Sequence, residues 1–280
     1  MRILQQPGPV AAQRRSEASG ALRVLDYDLA PGQTLLAAIT TPLLAAGMRA
    51  GSVLFGGVRL DPFRYWRPGP ADGAGHAAWY SVPEPPLSGA HIIAANATFG
   101  WRDDAPFLHC HAVWRMQDAT PDSAPMGGHI LPDQTFLAAP ARVRAYATAD
   151  ATIIATPDAE TNFTLFQPHG PGAPGRLILA RLHPNQDITL AMEELCAARG
   201  IRNAILRGSI GSLVGARFTD GRVVEDYATE VLVRHGSIRD GRCTLDMSVV
   251  DIAGNAHTGV LVRGENAVCI TAEMALEAID

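Results

Sequence analysis

The sequence predicts an α+β chain built from two tandem copies of one unit. Three observations carry that expectation. A turn-helix-turn segment occurs twice: Pro31-Gly32-Gln33 and Gly47-Met48-Arg49 recur as Pro184-Asn185-Gln186 and Gly200-Ile201-Arg202, at identical internal spacing. Each copy has a single helix-like run surrounded by short apolar stretches that read as strands. A Gly/Pro-rich joint, His169 to Gly175, separates the copies with three glycines and two prolines in seven residues.

Taken in order, residues 1–20 are polar and read as an arm or an edge strand. Leu22 to Leu29 alternates apolar and polar residues, which marks a half-buried strand. Thr34 to Ala46 is rich in Ala and Leu and stops at Gly47, a helix with its C-terminal signal. Gly51 to Val58 is a strand whose glycines admit a close neighbour. Residues 59–89 read as a long irregular loop, and such length in a compact domain is usually functional. Ala90 to Phe99, Pro106 to Trp114, Gly127 to Leu131 and Ala141 to Ile154 are further strands, and Phe163 to Phe166 closes the first half. After the joint the pattern restarts: strand Leu177–Leu182, helix Ile188–Arg199 ending at Gly200, then strand Asn203–Leu213. The predicted divisions are an arm at 1–20, a first domain at 21–168, a linker at 169–175 and a second domain at 176–280.

Composition narrows the function. Of the 280 residues, 47% are hydrophobic and 18% charged, so a packed core is expected rather than disorder. The net charge of −5 argues against bulk nucleic-acid binding, which needs a basic face. All 23 basic residues are Arg, which excludes a Schiff-base or P-loop lysine. Cys110, Cys196, Cys243 and Cys269 are scattered and suit buried thiols in a reducing compartment. No apolar run approaches a membrane span, and a soluble, cytoplasmic protein is the expectation.

The stretch with most chemistry is His109-Cys110-His111, followed by Gly127-Gly128-His129. Residues i and i+2 of a strand share a face, so His109 and His111 point together and Cys110 points into the core. A third imidazole after a Gly-Gly pair makes a candidate open metal site, with the fourth position free for water or substrate. In the second copy His109 and His111 align with Thr244 and Asp246, and His129 aligns with Val260, so the frame recurs without the imidazoles. His91 aligns with Glu230 and is a candidate fourth ligand or a group that orients one. His76 could close over the site from the 59–89 loop. Arg59, Arg64 and Arg67, beside Tyr65 and Trp66, form a basic-aromatic stretch, and a guanidinium fork suits a carboxylate. Arg207 could point into a cleft. Asp104 is a candidate general base just before the histidine strand. A serine hydrolase is disfavoured, since Ser209 and Ser212 have no accompanying His or Asp pattern.

The second copy resembles the plants-and-prokaryotes conserved domain (PPC or PCC, also DUF296). The resemblance rests on the strand and the Gln186-Asp187 turn, Gly200-Ile201, Gly208 to Leu213, Glu230 to Val233, Asp251 to Asn255, Leu261 to Gly264 and Thr271-Ala272-Glu273. The first copy is similar more loosely and retains the histidine pattern of that family. The resemblance implies two tandem PPC-like domains, each a mostly antiparallel sheet packed on one main helix. It also implies a divalent metal, zinc or another transition ion, on His109, His111 and His129, and a trimer-like homo-oligomer. The residues themselves suggest a metal-dependent hydrolase, lyase or isomerase working on a small anionic carbonyl or carboxylate substrate, with Arg59, Arg67 and Asp104 as catalytic candidates. The alternative is a non-catalytic regulatory or oligomerisation protein carrying a DNA-binding label. The AT-hook that gives plant members their DNA contact is missing here, since the chain has no Arg-Gly-Arg-Pro core.

Overall fold

The computed structural model describes the chain except residues 72, 74, 83–87, 121, 171 and 173. Two helices and two large sheets form four layers, helix on sheet on sheet on helix. Helix α1, Leu35–Ala45, starts at Thr34, whose hydroxyl accepts the Ala37 N–H at 3.2 Å. Its buried residues Leu35, Ala38, Ile39 and Leu43 form one stripe at helical spacing. Helix α2, Ile188–Ala198, starts at Asp187, whose carboxylate accepts the N–H groups of both Thr189 and Leu190. Neither helix is long and apolar enough to cross a membrane.

The first half contributes an eleven-stranded sheet, the second half the core of a seven-stranded one. The first-half sheet is antiparallel apart from one parallel contact, Ile154 with Trp101. Its long hairpin pairs Ala90–Arg102 with Ala105–Met116 around Asp103 and Asp104, both at positive φ as a tight primed turn demands. The second half repeats that hairpin as Glu230–Arg239 with Arg242–Val250. The register also repeats. His111 faces His129 across the first sheet, and Asp246 faces Val260 across the second.

Strand periodicity then assigns the faces. Leu108, Cys110, Ala112 and Trp114 pack with α1. Cys243, Leu245, Met247 and Val249 pack with α2. The opposite faces meet each other through Val113, Ile210 and Leu232, flanked by Ala94 and Ala256. A second contact joins Ala50, Ile153 and Phe166 to Leu177, Leu179 and Ala275. At Gly208 the backbones are so close that a Cβ would lie 1.8 Å from the Ser52 hydroxyl. Beside it the Ser209 N–H donates to Asn96 Oδ1, and the Asn96 amide donates to the Val233 carbonyl.

Two regions differ from the sequence expectation. Arg15–Gly20 is an edge strand, but it pairs with Leu177–Leu182 of the second half, so the start of the chain crosses to the other sheet. An apolar strand such as Leu177–Leu182 leaves a row of unpaired backbone groups that a neighbouring segment must cover. Residues 59–89 are not a free loop. Tyr65–Gly69 pairs with the His129 strand Met126–Ile130 and with Trp79–Ser81. Gly128 allows this approach, because a Cβ there would sit 2.3 Å from the Trp66 carbonyl oxygen. Parts of that stretch, and of the predicted 169–175 linker, lie outside the described residues.

Candidate metal centre

The site lies between the two sheets. His109 and His111 come from the inward face of Ala105–Met116, and His129 from the strand paired beside it. One ligand nitrogen from each of the three lies within 4.8 Å of the other two. Cys110, on the opposite face, is fully buried in the first core. Burial pushes its thiol well above the ordinary value, so it stays a neutral core residue.

The imidazoles are held by the second half. The His111 Nδ1–H donates to the Val231 carbonyl at 3.0 Å, which leaves its neutral Nε2 as a lone pair. The His109 Nδ1–H donates to Glu273 Oε1 at 2.8 Å, which turns its Nε2 toward His111. These two Nε2 atoms stand 3.1 Å apart. With both rings neutral these atoms face each other as lone pairs, whereas a proton on either one closes an N–H···N bond. A tetrahedral ion with bonds of about 2.0–2.1 Å sets its nitrogens roughly 3.3 Å apart, so this spacing fits a metal. Burial, and then the His109 charge, hold His111 well below the usual imidazole range. Burial does the same at His129, helped by His109 and His111. His129 Nδ1 is buried and has no hydrogen-bond partner.

Two buried carboxylates complete the surroundings, and sequence reasoning assigned neither of them a role. Glu273 lies on Val268–Ala278, where its neighbours Ala272 and Met274 face the α2 core and it faces the histidines. Glu230 opens the strand Glu230–Arg239 and brings Oε1 to 4.0 Å from His111 Nε2. Burial pushes its carboxyl well above the usual range. One oxygen of each carboxylate, Oε2 in both, is buried without a partner. A signal existed for both residues: a carboxylate inside a run of apolar strand residues is rarely buried without a reason. Glu230 was also the residue aligned with His91.

A cavity of about 60 Å³ opens beside the triad, lined by His109, His111, Glu230, Tyr80, Trp79 and Phe163 among others. That is room for a few water molecules or one small ligand. Trp79 and Tyr80 come from the 59–89 region. Burial raises the Tyr80 phenol, and the charges of Glu230 and Glu273 raise it further.

The other sequence candidates lie elsewhere. Arg59 is on a short strand opposite His91, and both are exposed. Arg64 donates to its neighbour, the Phe63 carbonyl. Arg67 donates to the Ala253 carbonyl at 2.9 Å and ties the halves together. Asp104 occupies the exposed hairpin turn, five residues along the strand from His109. Arg207 binds Glu277 and lies over the Tyr146 ring. The His76 ring packs at a tilt against Trp79 and Phe163, which line the cavity. The structure therefore brings His109, His111 and His129 together and does not bring Arg59, Arg67 or Asp104 to them.

Fold and site together define a twin α+β protein with a three-histidine, metal-compatible cluster enclosed between its halves. Residues 169–280, within the second part of the chain, match the model of the Plants and Prokaryotes Conserved (PCC) domain. Among solved structures, the chain is similar to a metal-containing protein of Archaeoglobus fulgidus at 15% identity. That likeness covers 59% of this chain and 99% of the other, with a TM-score of 0.37. A plant- and prokaryote-conserved protein of Pyrococcus horikoshii is similar at 14% identity, over 57% of this chain and 97% of the other, with a TM-score of 0.39. A candidate DNA-binding protein of Ralstonia eutropha follows at 11% identity, over 52% and 90%, with a TM-score of 0.35. No curated protein matches the chain.

Proposed function

We propose that the chain is a zinc-dependent enzyme acting on a small carbonyl or carboxylate substrate by hydrolysis, hydration or isomerisation. The observation that carries the metal is the convergence of one nitrogen from each of three imidazoles within 4.8 Å, with the outer nitrogens of His109 and His111 already held by Glu273 and Val231. His109, His111 and His129 hold the ion. When bound, the ion supplies Lewis acidity to a carbonyl oxygen or to water. The protein supplies the rest. Glu273 orients His109, and Val231 orients His111. Glu230 lines the cavity as a buried carboxyl suited to pass a proton at its Oε atoms. Tyr80, Trp79 and Phe163 limit the ligand to a few heavy atoms and exclude bulk water.

The substrate reading shifts with the geometry. The described lining contains no Arg, and it does contain Glu230. A neutral carbonyl compound suits such a wall better than the anion expected from an Arg clamp. One chain already supplies both the histidines and the carboxylates, so self-association is not needed to complete the site. The tightness of the cavity favours one second reading, a structural metal in a non-catalytic protein.

Metal analysis tests the first step: purified protein should hold, or take up, about one equivalent of zinc per chain. Uptake below a tenth of that would end the proposal. Zinc-loaded protein is then assayed against short aldehydes, esters and 2-oxo acids. If it accelerates none of them beyond a His111→Ala variant, the structural reading replaces the enzymatic one.

A further inference from the structure

Away from the triad, Arg59, His91 and Arg115 lie directly opposite one another on three adjacent strands, Arg59 across from His91 and His91 across from Arg115. Cross-strand partners share a face, so the three basic side chains form one row. All three are exposed, while Val58, Leu60, Ile92 and Trp114 beside them point into the α1 core. With neighbouring strands about 4.8 Å apart, the two arginine Cα atoms are roughly 10 Å apart.

Two guanidiniums on one sheet face with no acid between them repel each other. The same sheet avoids this where Arg23–Leu29 pairs with Ala141–Thr148. There Arg142 faces Asp28 and Arg144 faces Asp26, and both pairs close as ion pairs at 3.1 and 2.8 Å. In the Arg59 row no acid takes that position. Among the described residues none of the three forms an ion pair, and the only side-chain bond is from Arg115 Nε to the Ser123 carbonyl. The acid just past the strand end, Asp118, is engaged by the Ser88 hydroxyl. The row borders an open hollow of about 730 Å³ lined also by Gly57, Ile93, Met116 and Gln117. Glu230 takes the place of His91 in the second half, so the row belongs to the first half alone.

From this contrast we infer that Arg59, His91 and Arg115 form a binding site for a small polyanion, carrying two or more carboxylate or phosphate groups, that supplies a counter-charge the row does not find among the described residues. Guanidinium forks spaced on either side of an imidazole donate to two such groups at once. The site is separate from the histidine cluster and does not depend on the proposed reaction.

Calorimetric titration at low ionic strength with citrate and with pyrophosphate tests it and separates the two chemistries. A His109→Ala/His111→Ala background keeps either anion from binding through a metal. Saturable binding of at least one is expected, weakened about tenfold or more by Arg59→Ala and by Arg115→Ala. Arg142→Ala, among the ion-paired strands, should leave it unchanged. Citrate alone would assign a carboxylate ligand, and pyrophosphate alone a phosphate one. No saturable binding of either, equal weakening by Arg142→Ala, or binding of duplex DNA alone would overturn the proposal.

Discussion

The two halves share a frame and divide the chemistry. The first places imidazoles at His109, His111 and His129. The second places Thr244, Asp246 and Val260 at the aligned positions and contributes Glu230 and Glu273 instead. Neither half carries both sets. Because the sheets pack face to face, the carboxylates of one copy meet the histidines of the other. The second copy lacks the imidazoles and brings two buried carboxyl groups to those of the first. A duplication of this kind frees each copy from having to satisfy both roles on the same strands.

The comparison can be broken most sharply by deleting its cationic-metal side. His111→Ala should abolish stoichiometric zinc uptake, measured by equilibrium dialysis, since two remaining imidazoles leave an ion underligated. Next in size is the tie that seats the halves. Arg181 of the second half is fully buried and pairs with Asp158 of the first at 2.7 Å. Replacing Asp158 with Ala should cost about 3–5 kcal/mol in urea unfolding, because a buried charge is left alone. The same pair sets a pH dependence. Burial pushes the Asp158 carboxyl up, but the hydrogen bond and charge of Arg181 outweigh it and hold the group below the usual carboxylate range. The stabilisation is thus complete above the unfolded value of about 3.9 and is lost as pH falls through the lowered folded value. Unfolding midpoints between pH 7 and 3 should fall less steeply in the variant.

Glu273→Gln sharpens the division of labour. It keeps the shape and removes the charge behind His109, and zinc affinity should drop about 10- to 100-fold. Unchanged affinity would show that the second half merely encloses the site. The smallest contrast lies in the helix starts. Asp187 accepts two helix N–H groups, the Thr189 hydroxyl and the Asn266 N–H, whereas Thr34 accepts one N–H. Asp187→Ala should therefore cost about 1–2 kcal/mol and Thr34→Ala about 0.5–1 kcal/mol, read from thermal melts.

Much of this was legible in the chain. Helix ends at Gly47 and Gly200, the alternation that turns Cys110 away from His109 and His111, and the repeated register all follow from local rules of strand and helix geometry. Glu230 was visible as the residue aligned with His91, but nothing local said that it faces the other copy. Arg59, Arg67 and Asp104 looked as good by residue type as the carboxylates did. A hairpin turn at Asp103-Asp104 and a short strand at Val58–Leu60 keep Asp104 and Arg59 from the triad, while Arg67, one residue past the Trp66 that faces His129, is turned to the Ala253 carbonyl.

Sequence alone determined the duplicated α+β frame, the three imidazoles and the face they share, because periodicity and turn chemistry act over a few residues. Only the tertiary structure decided what stands opposite them. The packing of one sheet on the other, and the crossing of Arg15–Gly20 to the far sheet, join positions more than a hundred residues apart. Such contacts are selected by complementary faces and buried charge across the whole fold, and no local pattern encodes which partner a face will meet.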